Sequence, residues 1–507
     1  MTGHAFRLEL DGFGCPMAHC NRNDDSFHDL PPLRAVETAQ KIVDPVVSPR
    51  ASVHLGAFTG EKAAVCAYDS VLHPALVAYD YRSGAVLWTS PLEDLPGLFQ
   101  RWPSGILLAR VVRRDGTPQH CVFAANPVEF VAYSADGHRL WKRATSEVSA
   151  GAPNGVGMPT SLTFSDAHEL VCVTTSGWIV KLNPLDGTVI ASYRMDASVF
   201  VNGREYRGTF TTTKSPVVIG RVLYVLADFK PNGSYPPLHP FFSPVHLLRI
   251  ELDQPGVRGA ERLIKPMMPV RGPHDEAPDR VRLGVYKGTG SPPALVRPGE
   301  SPILFAHAHT LTATGLEPTI NAVEDRQGVL SIRWRSQLHV APGDDIYAAP
   351  ALHADSATLL VTTLQKIYVF REVSSLAGQV LSPPATDPAQ LVPDAPRSTA
   401  ASVKVGSPFA LAFDADHDEI VVYTNFRMGA APLQPSYGFL GAFALPVRAG
   451  TQPRALWQRP LGVTRDGAPI PGFGTFGQPA LFRYDASGEQ ATGVIVNTVA
   501  TGTYIFR

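Results

Sequence analysis

The stretch ALVAYDYRSGAVLW, residues 75–88, holds two apolar runs separated by a Ser-Gly turn. A two-residue turn between strands needs positive φ, which Gly84 adopts readily, so the stretch predicts a β-hairpin. Residues 129–141, EFVAYSADGHRLW, repeat the pattern with the same spacing from Gly137 to Trp141. Weaker copies follow along the chain, and this recurrence indicates a repeat architecture.

A second repeated feature is a proline that precedes an apolar run. Proline has no N–H to donate and suits the first residue of a strand, so each copy predicts where a strand begins. The intervals are about 54 to 58 residues, lengthened to about 70 to 76 before two copies, which indicates insertions. The eight prolines are Pro49, Pro103, Pro159, Pro216, Pro292, Pro350, Pro408 and Pro479.

These patterns predict an all-β fold, an eight-bladed β-propeller with four strands in each blade. The eighth copy holds only three strands before the chain stops at Arg507. Because an open edge strand promotes aggregation, we expect a segment within residues 34–47 to pair with the strand ending at Phe506. Residues 1–33, rich in turn formers, are predicted to be an irregular extension, and residues 34–507 the propeller.

Composition narrows the classes of partner. The net charge is −1 with both signs scattered, so nothing indicates binding to nucleic acid. No run approaches the length of a membrane span, and no basic segment leads into an apolar stretch near Met1. We therefore expect a cytoplasmic protein without a membrane span, with an exported mature form as the alternative. Five cysteines at irregular spacing do not form a disulfide framework.

At the two hairpins the sequence resembles the eight-bladed propellers of the pyrroloquinoline quinone repeat superfamily. Repeats of that superfamily carry a strand ending in Ala-x-Asp, a glycine turn and a tryptophan that packs between blades. Here Ala78-Tyr79-Asp80, Gly84 and Trp88 match that pattern. The resemblance runs from about Pro49 to Arg507 and implies a fold. It does not imply one activity, because the superfamily includes dehydrogenases, outer-membrane assembly lipoproteins and members without a cofactor.

For the quinone-dependent dehydrogenases, the resemblance implies adjacent cysteines beside pyrroloquinoline quinone and a calcium or lanthanide ion held by acidic and amide side chains. No two cysteines of this chain are adjacent, and no carboxylates can be assigned to the metal positions. No lipoprotein cleavage signal precedes a cysteine, so the anchor of the assembly lipoproteins has no counterpart either.

Residues just before the repeated prolines should face the funnel near the propeller axis. Several are basic or hydrogen-bonding, and cations that converge in a partly desolvated funnel favour an anionic ligand. The alternative is that they are solvated rim residues. These candidate ligand-binding residues are Arg101, Lys214, Lys287, Tyr347, Lys404 and Gln478.

Two clusters carry side chains of the metal-ligand type. His307 and His309 lie two residues apart and would share one face of a strand, where they could bind a metal or form a hydrogen-bonded pair. Cys15, His19 and Cys20 form the densest cluster, although the second ligand pair of a zinc site is missing. Free thiols or a disulfide are the alternative there.

No phosphate loop, dinucleotide fingerprint or nucleophile elbow appears in a fitting context. The leading hypothesis is therefore a non-catalytic propeller that binds a small anionic ligand or a protein partner at the funnel. The alternative is an oxidoreductase that depends on pyrroloquinoline quinone or a metal ion. The sequence does not decide whether the chain is an enzyme.

Overall fold

The computed structural model describes the following residues, to which all structural statements refer: 6–10, 26–42, 57–58, 63–68, 75–80, 83, 85–92, 104–148, 157, 159–201, 204–233, 243–254, 263–269, 277–285, 291–312, 315–338, 340–341, 344–346, 348–375, 385–391, 403–405, 408–428, 437–448, 452–461, 478–486, 489–498 and 502–507.

The protein is an all-β propeller, and the described residues form eight sheets, numbered here in chain order. The first four sheets consist of these strands: sheet 1, Ala57–Phe58, Ala63–Tyr68, Ala75–Asp80 and Val86–Pro91; sheet 2, Phe6–Leu10, Ser104–Arg113, Pro118–Ala125, Glu129–Ser134 and Arg139–Ala144; sheet 3, Pro159–Phe164, Leu170–Thr174, Trp178–Leu182 and Val189–Arg194; sheet 4, Asp196–Val201, Arg204–Thr211, Val217–Ile219, Val222–Pro231, Val245–Glu251 and Arg280–Gly284.

The other four sheets consist of these strands: sheet 5, Ala294–Leu295, Ile303–Thr312, Gly315–Arg326 and Val329–Gln337; sheet 6, Ala351–His353, Thr358–Thr362, Ile367–Phe370 and Ala385–Thr386; sheet 7, Phe27–His28, Val403–Val405, Ala410–Asp414, Glu419–Met428, Tyr437–Pro446 and Arg454–Leu461; sheet 8, Ala39–Ile42, Ala480–Ala486, Glu489–Thr498 and Gly502–Phe506. Two 3-10 turns, Thr145–Glu147 and Pro388–Leu391, are the helical segments of the described chain. Within these ranges no helix has the length and apolar character needed to cross a membrane.

Each sheet packs face to face on the next, from sheet 1 through sheet 8. Seven apolar clusters fill the successive interfaces. Inner strands such as Ala75–Asp80 are buried along nearly their whole length, whereas the last strand of the same sheet, Val86–Pro91, is mostly exposed. The inner strands therefore form the core and the last strand lies at the rim.

At each of these interfaces a side-chain N–H donates a hydrogen bond to the next sheet. The acceptor lies in or beside the connection between the last two strands of that sheet, or, in sheet 8, in the N-terminal segment that takes its place. Tryptophans on the outer strands donate to backbone carbonyls: Trp88 to Ala135 (2.8 Å), Trp141 to Pro184 (2.8 Å), Trp334 to Val373 (3.1 Å) and Trp457 to Leu33 (3.0 Å). Cationic side chains donate across the other interfaces: Lys181 to the Leu252 carbonyl, Arg371 to the Val447 carbonyl and Arg249 to the Asp325 carboxylate.

The glycine of the hairpin turn has a second use at two of the tryptophan interfaces. Gly137 has φ +84°, and a Cβ built there would lie 2.7 Å from the indole of Trp88. Gly187 has φ +69°, and its Cβ would lie 2.4 Å from the indole of Trp141. Both positions thus need glycine for the turn and for the close approach of the neighbouring ring.

In sheet 3 the repeat's pair of a small residue on the third strand and a large residue on the last strand is reversed. Trp88 lies opposite Ala78 in sheet 1, but Ala191 lies opposite Lys181 in sheet 3. The Lys181 side chain is fully buried, and its ammonium lies 2.6 Å from Glu169 and 2.8 Å from Asp253. The missing indole is therefore replaced by a buried cation held between two carboxylates.

The N-terminal strap, residues 26–42, crosses from the inner edge of sheet 7 to the outer edge of sheet 8. It begins beside the inner strand Ala410–Asp414, where Phe27–His28 pairs in parallel. Arg34 then forms ion pairs with Asp414 and Glu419. Ala39–Ile42 ends the path as an antiparallel partner of Gly502–Phe506, which confirms the predicted pairing of the two ends of the chain.

The strap and the C-terminal residue together replace a turn that sheet 8 lacks. Glu37 and Thr38 donate backbone N–H groups to the Arg507 carbonyl, at 2.7 and 2.9 Å, and the Arg507 N–H returns to Thr38 at 3.0 Å. Leu33 meanwhile accepts the indole N–H of Trp457.

Residues 1–33 were predicted to be irregular, and this does not hold for two of their segments. Phe6–Leu10 pairs with the inner strand of sheet 2, and Phe27–His28 pairs with sheet 7. Backbone pairing at a free sheet edge needs no apolar period in the added strand, so the sequence pattern gave no signal.

We expect Lys181→Met to lower the free energy of unfolding by about 3–5 kcal/mol, since two buried carboxylates would lose their cation. Arg7→Met, which removes the exposed pair with Glu9, should change it by about 1 kcal/mol or less. Denaturant unfolding of both variants measures the difference. Equal losses would contradict a stabilising role for the buried cation.

A truncation lacking residues 1–42 should be less stable than one lacking residues 1–25 by about 3 kcal/mol or more. Only the longer truncation removes the strap, with its ion pairs, the acceptor for Trp457 and the cover of the edge strand Gly502–Phe506. The longer truncation should also aggregate. Chemical unfolding and light scattering test both effects, and coincident unfolding curves would contradict the role of the strap.

Candidate functional site

His307 and His309 lie on the second strand of sheet 5, Ile303–Thr312, and face the same side because residues two apart do so in a strand. They lie opposite Ile320 and Pro318 on the neighbouring strand. Both histidine side chains are almost completely buried. The hairpin pairing that begins at Ile303 fixes this register through Thr312, so the two imidazoles are held on a rigid element.

Asp345 completes the group from the connection between sheets 5 and 6. In an antiparallel four-stranded sheet, the hairpin that joins strands two and three lies at the same end of the sheet as the C-terminus of strand four. His309 approaches that hairpin, and Asp345 follows the exit from Val329–Gln337. Topology therefore brings the three residues together, although Asp345 lies 36 positions from His309.

The three side chains form a compact set of ligand atoms. Their nitrogen and carboxylate oxygen atoms all lie within 4.8 Å of one another. The Nε2 atoms of His309 and His307 lie 2.9 and 3.9 Å from the same Oδ1 of Asp345. The imidazole centroids are 4.9 Å apart with the rings tilted by 60°. Among the described residues this is the group of three or more such side chains that could hold a metal ion.

Asp345 is held as a carboxylate. Burial opposes its ionisation, but the hydrogen bond to His309 and the nearby histidines outweigh burial and hold its pKa below the ordinary value. The backbone N–H of Ile346 also donates to Oδ1 at 2.7 Å. Asp345 remains one-third exposed, so the group reaches solvent from its side.

The adjacent Asp344 faces elsewhere. Its Oδ2 accepts a hydrogen bond from the Thr363 hydroxyl at 2.7 Å, and burial raises its pKa. The two neighbouring carboxylates thus have different environments, and only Asp345 joins the histidines. The sequence analysis found the histidine pair but not Asp345, because a residue in a connection shows no strand pattern.

Three of the predicted funnel residues are described. Lys214 is half-buried, and its charge acts to lower the pKa of Asp228, although burial dominates and raises that pKa. Lys404 lies on the short strand Val403–Val405, opposite Arg427. Gln478 donates its amide to the Phe409 carbonyl at 2.7 Å, so it links sheets 8 and 7. Arg101, Lys287 and Tyr347 lie outside the described residues.

Cys15, His19 and Cys20 also lie outside the described residues. Cys121 and Cys172 are described, and both are buried free thiols whose pKa burial raises to about 12. These two occupy strands of different sheets and act as small apolar residues of the core. They do not supply the thiol pair that the resemblance to quinone-dependent dehydrogenases implies, so the described residues do not fit that cofactor.

No protein-family model matches the chain, and no curated protein matches it. Solved structures are similar at low identity. A europium-containing methanol dehydrogenase has a TM-score of 0.48 at 11% identity, covering 98% of each chain. BamB from Moraxella catarrhalis has a TM-score of 0.44 at 10% identity, covering 93% of this chain and 99% of its own.

A quinohemoprotein alcohol dehydrogenase from Comamonas testosteroni has a TM-score of 0.41 at 9% identity, covering 98% of this chain and 80% of its own. At these identities and TM-scores the similarities carry no conclusion about the activity of this chain. The chemistry must come from the residues of this chain.

Proposed function

We propose that this chain is a binding propeller whose site is a divalent metal centre held by His307, His309 and Asp345. The supporting observation is that three ligand atoms from two separate elements converge within 4.8 Å. Two imidazoles and a carboxylate are a donor set for zinc and for iron or manganese. Ligands at about 2.1 Å from a tetrahedral ion lie about 3.4 Å apart, between the two distances to Asp345.

The alternative is a hydrogen-bonded histidine pair. One imidazole lies 2.9 Å from Asp345, within hydrogen-bond distance. The second lies 3.9 Å from the same oxygen, a spacing that an ion shared by the three side chains would bridge. Partial exposure of Asp345 provides the route by which an ion would enter.

The remaining proposals concern architecture and the funnel. We take each of the eight sheets as one blade of an eight-bladed ring, and seven consecutive sheet interfaces support this. Its domain is residues 34–507, to which Phe6–Leu10 and Phe27–His28 are added by strand pairing. Lys214 and Lys404, both only partly buried, support a second site for a small anionic ligand or protein partner.

A cytoplasmic location stays a prediction.

Metal titration tests the centre. Chelator-treated protein should bind one equivalent of Co²⁺ or Zn²⁺ in calorimetry, and the Co²⁺ form should show visible bands. Asp345→Asn and His309→Gln should weaken binding about 100-fold or more, since a ligand is lost.

Two controls carry similar substitutions away from the centre. Asp344→Asn changes the adjacent carboxylate, and His417→Gln changes a largely exposed histidine paired with Asp414 in sheet 7. Both should bind metal as the wild type does. Stoichiometric binding that persists in Asp345→Asn and His309→Gln, or no binding by the wild type, would reject the metal centre.

A further inference from the structure

Sheet 4 departs from the Ala–Trp pair that sheets 1, 2, 5 and 7 share. In those sheets the outer-strand tryptophan lies opposite alanine, for example Trp334 opposite Ala322. In sheet 4 the Lys265 backbone N–H donates to the Glu251 carbonyl at 2.9 Å, so Lys265 lies beside the end of Val245–Glu251. A Glu–Lys ion pair at 3.2 Å lies here, next to the turn of sheet 5, and no tryptophan does.

A cavity lies here against sheet 5. The cavity has a volume of about 300 Å³, at the lower end of small-molecule sites. It opens beside Gly328, the turn glycine of sheet 5, with φ +89°. At Gly137 and Gly187 an indole ring lies against the glycine, but at Gly328 the nearest group is the Arg249 guanidinium, 3.7 Å from a built Cβ. The cavity thus lies where a neighbouring tryptophan ring would pack.

The lining suits a flat, uncharged ring. Pro266, Met267 and Met268 supply an apolar wall, and thioethers make favourable contacts with aromatic rings. The Arg249 guanidinium offers a stacking face. Its charge is already compensated by Glu251 at 2.9 Å and Asp325 at 2.7 Å, so the ligand needs no charge of its own.

We propose that this cavity between sheets 4 and 5 binds a planar, uncharged aromatic molecule of indole size. The ligand occupies the place that Trp88, Trp141, Trp334 and Trp457 occupy at four other interfaces. The site is separate from the histidine centre, which lies between sheets 5 and 6.

Indole itself is the probe. Ligand-observed NMR and calorimetry should detect saturable binding to the wild type. The double variant Glu251→Ala, Lys265→Trp places an alanine and a tryptophan in the cavity wall, which both residues line, and fills the cavity from within. Indole binding should fall at least tenfold in this variant, while its melting temperature stays equal to that of the wild type or rises.

A second variant guards against misfolding of the first. Met268→Glu places a charge at a partly exposed position of the wall and should weaken indole binding several-fold with an unchanged melting temperature. Val189→Ala, on the exposed rim of sheet 3, is the control and should bind as the wild type does. The proposal would be overturned if the wild type showed no saturable binding of indole. It would also be overturned if the folded double variant and Met268→Glu both bound indole as tightly as the wild type does.

Discussion

The propeller depends on one recurring contact, a side-chain N–H that crosses each described interface to the turn of the next sheet. Apolar packing alone would let neighbouring sheets slide, since it has little directionality. A hydrogen bond from a rigid indole fixes both distance and angle, and an unpaired buried donor would be costly. Where the indole is absent, Lys181, Arg249 or Arg371 makes the crossing instead. The contact is therefore retained although the residue that makes it changes.

Replacing a neutral donor by a cation changes what surrounds it. The indole of Trp141 is accommodated by a glycine, Gly187, and by one carbonyl, that of Pro184. A buried ammonium needs carboxylates, and Lys181 has Glu169 and Asp253. Between sheets 4 and 5 the charged network sits to one side and does not fill the space of a ring. The need for a side-chain N–H donor is thus met by a cation at both interfaces. The interface between sheets 3 and 4 is filled by the Lys181 side chain, whereas the one between sheets 4 and 5 keeps a cavity.

Much of the fold could be predicted because its signals are local. Gly84 and Gly137 marked hairpins, and the six repeated prolines that the structure describes, Pro159 to Pro479, lie at the starts of strands. The edge left by the eighth copy predicted the pairing of Ala39–Ile42 with Gly502–Phe506. Phe6–Leu10 and Phe27–His28 could not be predicted, since they are bound by backbone pairing to distant strands. For the site, alternation placed His307 and His309 on one face. Asp345 joins them only through the three-dimensional path of a connection, which no spacing encodes.

The pairing of the two ends also sets an order of events during synthesis. Ala39–Ile42 leaves the ribosome well before Gly502–Phe506, which follows about 460 residues later. At about 5–20 residues per second, some 25–90 s separate the two. Throughout that time Ala39–Ile42 has no partner strand. The N-terminal strand therefore stays unpaired until its partner is made, and its free N–H and C=O groups can pair with other chains in that interval.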